Sequence, residues 1–87
     1  MRSVENNFRT VEGLITPADW DSTGNVTAIK ISAPGEIDYF VIRDAIGNQL
    51  SEHLKKWIVA EGQIEIESNR NLIKITSFNL EARNEYI

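Results

Sequence analysis

The chain alternates apolar and polar residues in several short runs, which is the period-two pattern of half-buried β-strands. The first run covers residues 10–16. Gly13 at its middle predicts a bulge or a sharp bend, and Pro17 is expected to end or redirect the strand. A turn rich in Ser, Thr, Gly and Asn over residues 21–25 then leads into a second strand over 26–32.

A third strand is predicted over residues 37–43, after the turn signal of residues 33–36. This segment is dense in β-branched and aromatic residues, which favour strands. Because it is apolar on both faces, the pattern leaves open whether Tyr39 or Phe40 points outward.

The period then changes to that of a helix, because Leu50 and Leu54 fall four residues apart and Ile46 lies one turn earlier. We expect a short helix over residues 49–56, with Asn48 as its N-cap.

Two further strands follow this helix, the fourth beginning at Trp57 and the fifth covering residues 72–80, with a turn over residues 68–71 between them. In the fourth strand Gly62 marks a bend, and alternation places Ile66 on the inward face with Ile58, Ala60 and Ile64. The expected core contains these residues: Val11, Ile15, Ile29, Ile31, Leu50, Leu54, Ile58, Ala60, Ile64, Ile73 and Ile75.

The order of three strands, one helix and two strands resembles the OB-fold, a five-stranded Greek-key barrel. The matching features are Val11-x-Gly13-x-Ile15, the Leu50/Leu54 helix, Ile58-x-Ala60-x-Gly62-x-Ile64 and Ile73-x-Ile75-x-x-Phe78. The resemblance is one of topology, closest to small bacterial OB-like domains. It implies an all-β barrel in the order β1-β2-β3-α-β4-β5 and a single domain over residues 1–87, with its core at about residues 9–81.

Composition narrows the class of protein. The chain has 87 residues and no cysteine, which excludes disulfides, thiolate metal sites and cysteine nucleophiles. Its net charge of -4 is opposite in sign to the usual footprint of a nucleic-acid-binding protein. With neither an apolar leader nor a membrane-spanning run in the sequence, we expect a soluble, cytoplasmic domain.

Candidate chemistry is sparse, and we expect neither catalysis nor a cofactor. Asp19-x-Asp21-x-Thr23-Gly24 imitates the start of a calcium loop, but Lys30 stands where the anchoring glutamate is required, so no metal is expected. The single histidine, His53, has no evident catalytic partners and is expected to pack on Trp57. Glutamates at 61, 65 and 67 form a solvated stripe on the fourth strand.

The OB resemblance implies a ligand on the face of the second and third strands and on the loops that join strands one to two and four to five. On this chain that surface would present Trp20, Lys30, Tyr39 or Phe40, Arg43 and Arg70. Single-stranded nucleic acid or another extended oligomer is the ligand class that follows. Trp20 has a structural alternative, in which it plugs the barrel mouth.

Trp57 and Val59 are expected to point outward and to form a protein interface, since tryptophan is frequent among the energetic anchors of interfaces. The alternative is that the preceding helix, or Tyr86 and Ile87, covers them. Two functions therefore stand: a non-catalytic binding module for nucleic acid, and a protein-interaction or structural module, which the acidic charge favours.

Overall fold

The computed structural model describes residues 7–81, which form five strands with a short helical segment between the third and fourth. The strands are β1 (Phe8–Trp20), β2 (Val26–Ala33), β3 (Ile37–Val41), β4 (Trp57–Glu67) and β5 (Arg70–Glu81). The helix α1 (Ala45–Gln49) continues directly into a 3₁₀ turn over Leu50–His53. Within the described part of the chain, no helix is long and apolar enough to cross a membrane.

The five strands close into a barrel in the order β1-β2-β3-β5-β4, and β4 pairs back to β1. All neighbours are antiparallel except β3 and β5, which are parallel. The predicted all-β class, with five strands and a helix between the third and fourth, is confirmed. Closure gives every strand a neighbour on both sides over part of its length, which protects backbone groups that an open sheet would expose.

The barrel interior is filled almost entirely by the predicted side chains. Ile15, Ile31, Leu50, Ile58 and Ile73 have no exposed surface. All of the expected core residues are buried except Leu54, which is half-buried and packs against the core, and Val41 joins them. Leu54 lies outside the core proper because the chain has already left the helical conformation at that point.

Two glycines permit strands to approach closely. At Gly62 the register between β4 and β5 shifts, as the predicted bend requires, and an added Cβ would overlap the carbonyl oxygen of Lys74. An added Cβ at Gly13 would overlap the carbonyl oxygen of Ser32 in the same way. The expected bulge of β1 lies elsewhere, because the β1–β2 register shifts only after Pro17, through which the strand continues.

The helix begins four residues earlier than predicted, and its N-cap is Asp44 rather than Asn48. The Asp44 carboxylate accepts a hydrogen bond from the Gly47 N–H at 2.9 Å, which satisfies one of the free donors of the first turn. Gly47 lies inside the helix because its Cα packs against the Ile42 main chain, where a side chain would not fit. β3 correspondingly ends at Val41 instead of Arg43.

The tip of the β4–β5 hairpin lies past the described end of β1, although β5 is still paired with β3 there. Ile64 is 8% exposed, but Ile66, which was expected on the same inward face, is 74% exposed, so that prediction is wrong. Ser68 and Asn69 make the turn with φ of 54° and 66°, the paired left-handed residues of a type I′ hairpin. Arg70 is consequently the first residue of β5 rather than part of a loop.

Candidate ligand-binding face

The pairing of β2 with β3 settles which aromatic residue of β3 points outward. Ile31 is fully buried and lies opposite Tyr39, whereas Lys30 lies opposite Phe40. Directly paired residues share a face of the sheet. Tyr39 therefore points inward and packs against the core, and Phe40 is the outward aromatic residue.

Phe40 lies between two cationic side chains. The Arg70 guanidinium carbon is 4.1 Å from the centre of the Phe40 ring, and the Lys30 Nζ is 5.9 Å from it. Arg70 comes from β5, whose Leu72 pairs directly with Phe40. Three strands thus bring together an aromatic ring and two cations, within the range at which a ring face attracts positive charge. We call this set, Lys30, Phe40, Arg70 and Leu72, the Phe40 face.

Carboxylates limit the positive charge of the Phe40 face. The Lys30 Nζ is 3.0 Å from Asp38 Oδ2 in an ion pair. On β4, Glu67 lies opposite Arg70 and Glu65 lies opposite Leu72. Asp38 lies two residues before Phe40 and points outward with it. The sequence pattern did not predict this, because it left open which residues of the third strand point outward. Because these carboxylates offset most of the positive charge of Lys30 and Arg70, the Phe40 face should attract anions only weakly.

Arg43 does not belong to this face. Its Nε donates to Asn48 Oδ1 at 2.6 Å, and its Nη1 donates to the main-chain oxygen of Thr27 at 3.2 Å. The side chain thereby links the start of α1 to the first residues of β2. Because β3 ends before Arg43, the residue is placed at the helix end of the barrel, where it has a structural role.

Trp20 is the last residue of β1 and lies opposite Val26, the first residue of β2. Its side chain is 55% exposed, so it does not plug the barrel. Lys30 lies four residues farther along β2, a distance of about 13 Å at the usual rise per residue. A compact ligand on Phe40 would not touch Trp20, whereas an extended ligand following β2 would reach both.

The calcium-like loop is organised by one carboxylate. Asp21 Oδ1 accepts hydrogen bonds from the main-chain N–H groups of Thr23 and Asn25, each at 2.9 Å, and from the Thr23 hydroxyl at 2.8 Å. These bonds, with that from the Thr23 hydroxyl contributing most, lower the pKa of Asp21 from 3.8 to about 2. Among residues 7–81, no group of three or more His, Cys, Asp or Glu side chains is arranged to hold a metal ion.

His53 packs against Phe78, at 6.5 Å between ring centres. Its Nδ1 atom is buried and has no hydrogen-bond partner. The glutamates at 61, 65 and 67 are exposed, as the stripe predicts.

Trp57 and Val59 lie on the opposite side of the barrel from the Phe40 face, with their side chains half-buried. Trp57 pairs with Leu14 of β1, and Val59 pairs with Glu12. Leu14 is 36% exposed, and the sequence analysis did not connect it with Trp57 because only the β1–β4 register brings them together. The suggested covering residues Tyr86 and Ile87 lie outside the described residues.

Comparison with other proteins adds no family assignment. No protein-family model matches the chain, and the search of curated proteins returns no significant match.

Proposed function

We propose that the chain is a non-catalytic binding module of the OB type, and that its ligand is a single-stranded nucleic acid or a similar extended, anionic oligomer. The observation that carries this proposal is the Phe40 face, where Arg70 lies 4.1 Å over an outward aromatic ring with Lys30 beside it. Membership of the OB superfamily is part of the proposal. The closed order β1-β2-β3-β5-β4, with β3 and β5 parallel, supports it.

The chemistry of the Phe40 face suits a flat base attached to a phosphate. Arg70 covers the Phe40 ring, and a guanidinium stacked on a ring presents its own second planar surface to a base. Stacking contributes about 1 to 3 kcal/mol per base and tolerates any base, because each has a π-face. Lys30 and the edge of Arg70 would then donate to phosphate oxygens as the strand passes along β2 toward Trp20.

The affinity should be weak and should depend little on salt. Asp38 is paired with Lys30, and glutamates flank Arg70, so few phosphates can be neutralised. Two cations at about -0.7 each give a slope of log K against log salt of about -1.4. A much steeper slope would require a basic surface that the Phe40 face does not offer.

The test is a titration of a labelled single-stranded DNA of about 10 nucleotides, the middle of the range of OB-fold site sizes, at low salt. Arg70→Gln should weaken binding about five- to a hundredfold, the equivalent of one stacking contact. Lys56→Gln removes the same charge from an exposed site at the start of β4 and is the matched control. Equal losses in the two variants would show that binding depends only on overall charge, and would reject the Phe40 face as the site.

The alternative function is a protein-interaction module. It is favoured by the net charge of -4 and by the carboxylates that accompany the cations of the Phe40 face. The outward surface around Trp57 and Val59 would carry that interaction.

A further inference from the structure

A second outward surface combines one exposed and two half-buried apolar side chains with two exposed carboxylates. Leu14 and Trp57 lie side by side on β1 and β4, and Glu12 and Val59 form the next cross-strand pair. The following pair is Thr10 and Glu61. These rows belong to one continuous face of the sheet, because directly paired residues point to the same side. We call Leu14, Trp57 and Val59, with Glu12 and Glu61, the Trp57 patch.

The carboxylates of the patch accept hydrogen bonds from uncharged donors. Glu12 Oε1 accepts from the indole N–H of Trp57 at 3.4 Å, and Glu61 Oε1 accepts from the Ser77 hydroxyl at 3.3 Å. Both donors are uncharged, so neither contact neutralises its carboxylate. Lys56, which precedes Trp57, places one cation at the edge, and its main-chain oxygen accepts from the N–H of Ile15.

The patch differs from an ordinary solvated strand face. Solvated faces alternate charge with small polar groups, whereas here a tryptophan, a leucine and a valine are neighbours across two strands. Apolar area flanked by two carboxylates favours a partner whose charge near those carboxylates is positive. A tryptophan at the centre supplies the kind of anchor that dominates binding energy in protein interfaces.

We infer that the Trp57 patch is a docking surface for a basic segment of a partner protein, one that alternates apolar residues with lysine or arginine. The apolar side chains of the segment would cover Leu14, Trp57 and Val59, and its cations would lie against Glu12 and Glu61. The inference deepens the protein-interaction alternative and is independent of the nucleic-acid proposal, because the Trp57 patch and the Phe40 face share no residue.

The experiment uses three synthetic peptides of strand length that share the same valines and leucines and differ in the residues between them: lysine, serine or glutamate. Binding to the full chain is followed at physiological salt by chemical shifts and by affinity. The lysine peptide should bind best and should shift Leu14, Trp57 and Val59 while leaving Phe40 and Arg70 unchanged. Equal binding of the serine peptide would overturn the assignment of a basic partner.

Charge reversal separates a local site from the overall acidity of the protein. Glu12→Lys combined with Glu61→Lys should lower the affinity for the lysine peptide about tenfold, as expected when two rim attractions become repulsions. The matched control reverses Glu36 and Glu52, which are equally exposed but lie in the β2–β3 turn and the 3₁₀ turn. The control should change the affinity by less than about twofold. Equal losses in both variants, or no binding at all, would overturn the inference.

Self-association is the remaining outcome to be distinguished. If Leu14 and Val59 shift with protein concentration in the absence of peptide, a second copy of the chain occupies the patch and the inference of a basic partner is rejected. A negative result with the peptides would not bear on the nucleic-acid proposal, because the oligonucleotide titration tests a different residue, Arg70.

Discussion

The two halves of the β4–β5 hairpin follow the same alternation but lie in different environments. In the barrel half, Ile58 and Ile73 are fully buried and Ile64 is 8% exposed. At the tip, Ile66 continues the pattern and is 74% exposed. Among the described residues, the last pair between β4 and β1 is Gln63 with Phe8, so the tip lies past the described end of β1. Alternation identifies a face of a strand, but the neighbouring strands determine whether that face is buried.

The two halves of the hairpin also differ in whether they contribute to stability or to the proposed binding. The barrel half supplies side chains to the core, whereas the tip supplies Arg70, which lies over Phe40 on the outer surface. Substitutions of tip side chains outside the turn of Ser68 and Asn69 should therefore change binding with little effect on folding, and substitutions in the barrel half should do the reverse.

The largest expected difference is between two isoleucines two residues apart. Ile64→Ala should lower the free energy of unfolding by about 2 to 5 kcal/mol, because it removes buried methyl groups and leaves a cavity. Ile66→Ala should change it by less than about 0.5 kcal/mol, since the side chain is already in solvent. Denaturant unfolding of both variants measures this difference, and equal losses would mean that the tip is as well packed as the barrel.

The bend at Gly62 offers the next contrast. Gly62→Ala should cost about 1 to 3 kcal/mol, because the added Cβ would overlap the Lys74 carbonyl oxygen and force the strands apart. The neighbouring Gln63→Ala, on the outer face, is the control and should stay within about 0.5 kcal/mol. Thermal unfolding is the measurement; an unchanged midpoint for Gly62→Ala would show that β4 and β5 can separate freely at the bend.

The turn at the tip should respond to backbone conformation alone. Asn69 has a φ of 66°, which asparagine and glycine tolerate better than other residues. Asn69→Ala should therefore destabilise the chain by about 1 kcal/mol, while Asn69→Gly should be neutral or stabilising. If the two variants unfold at the same denaturant concentration, the left-handed conformation of the turn does not contribute to stability.

Acid should distinguish this turn from the loop over residues 21–25. The folded-state pKa of Asp21 is about 2, below its ordinary value of 3.8. The ionised Asp21 carboxylate therefore stabilises the fold fully above pH 3.8, and this stabilisation is lost as the pH falls toward 2. The main-chain hydrogen bonds of Thr23 and Asn25 to Asp21 should weaken in that window, as followed by their amide signals, while the main-chain conformation of Ser68 and Asn69 stays constant. Asp21→Asn should abolish the pH dependence, and titration of Asp21 near 3.8 would contradict the account.

The fold could be predicted from the sequence because its strands are amphipathic and because Gly13 and Gly62 lie where a neighbouring strand approaches closely. Ile29, Ile31, Ile73 and Ile75 were placed inward by alternation, and Gly62 was placed at a bend. The predicted cap, Asn48, lies four residues after the actual cap, Asp44, and both asparagine and aspartate are common N-cap residues. Only the structure shows that Asn48 is engaged by Arg43, which leaves Asp44 as the cap.

The candidate sites were less predictable, because both depend on contacts between distant strands. Alternation could not choose between Tyr39 and Phe40 in a strand that is apolar on both faces, whereas the β2–β3 register decides it at once. Arg43 was expected on the ligand-binding surface because the third strand was predicted to include it. Leu14 and Glu12 gave no signal of their own, since their importance arises from lying opposite Trp57 and Val59.

The central claim is that the Phe40 face binds an anionic strand, and the most direct measurement is a residue-by-residue map of chemical shifts during titration with a single-stranded oligonucleotide at low salt. The account predicts that Lys30, Phe40, Arg70 and Leu72 shift together and saturably, with Trp20 following when the oligonucleotide is long enough to reach it. Glu61 and Val59, on the other side of the barrel, should not move. No shift at millimolar oligonucleotide, or shifts confined to the Trp57 patch, would contradict the claim.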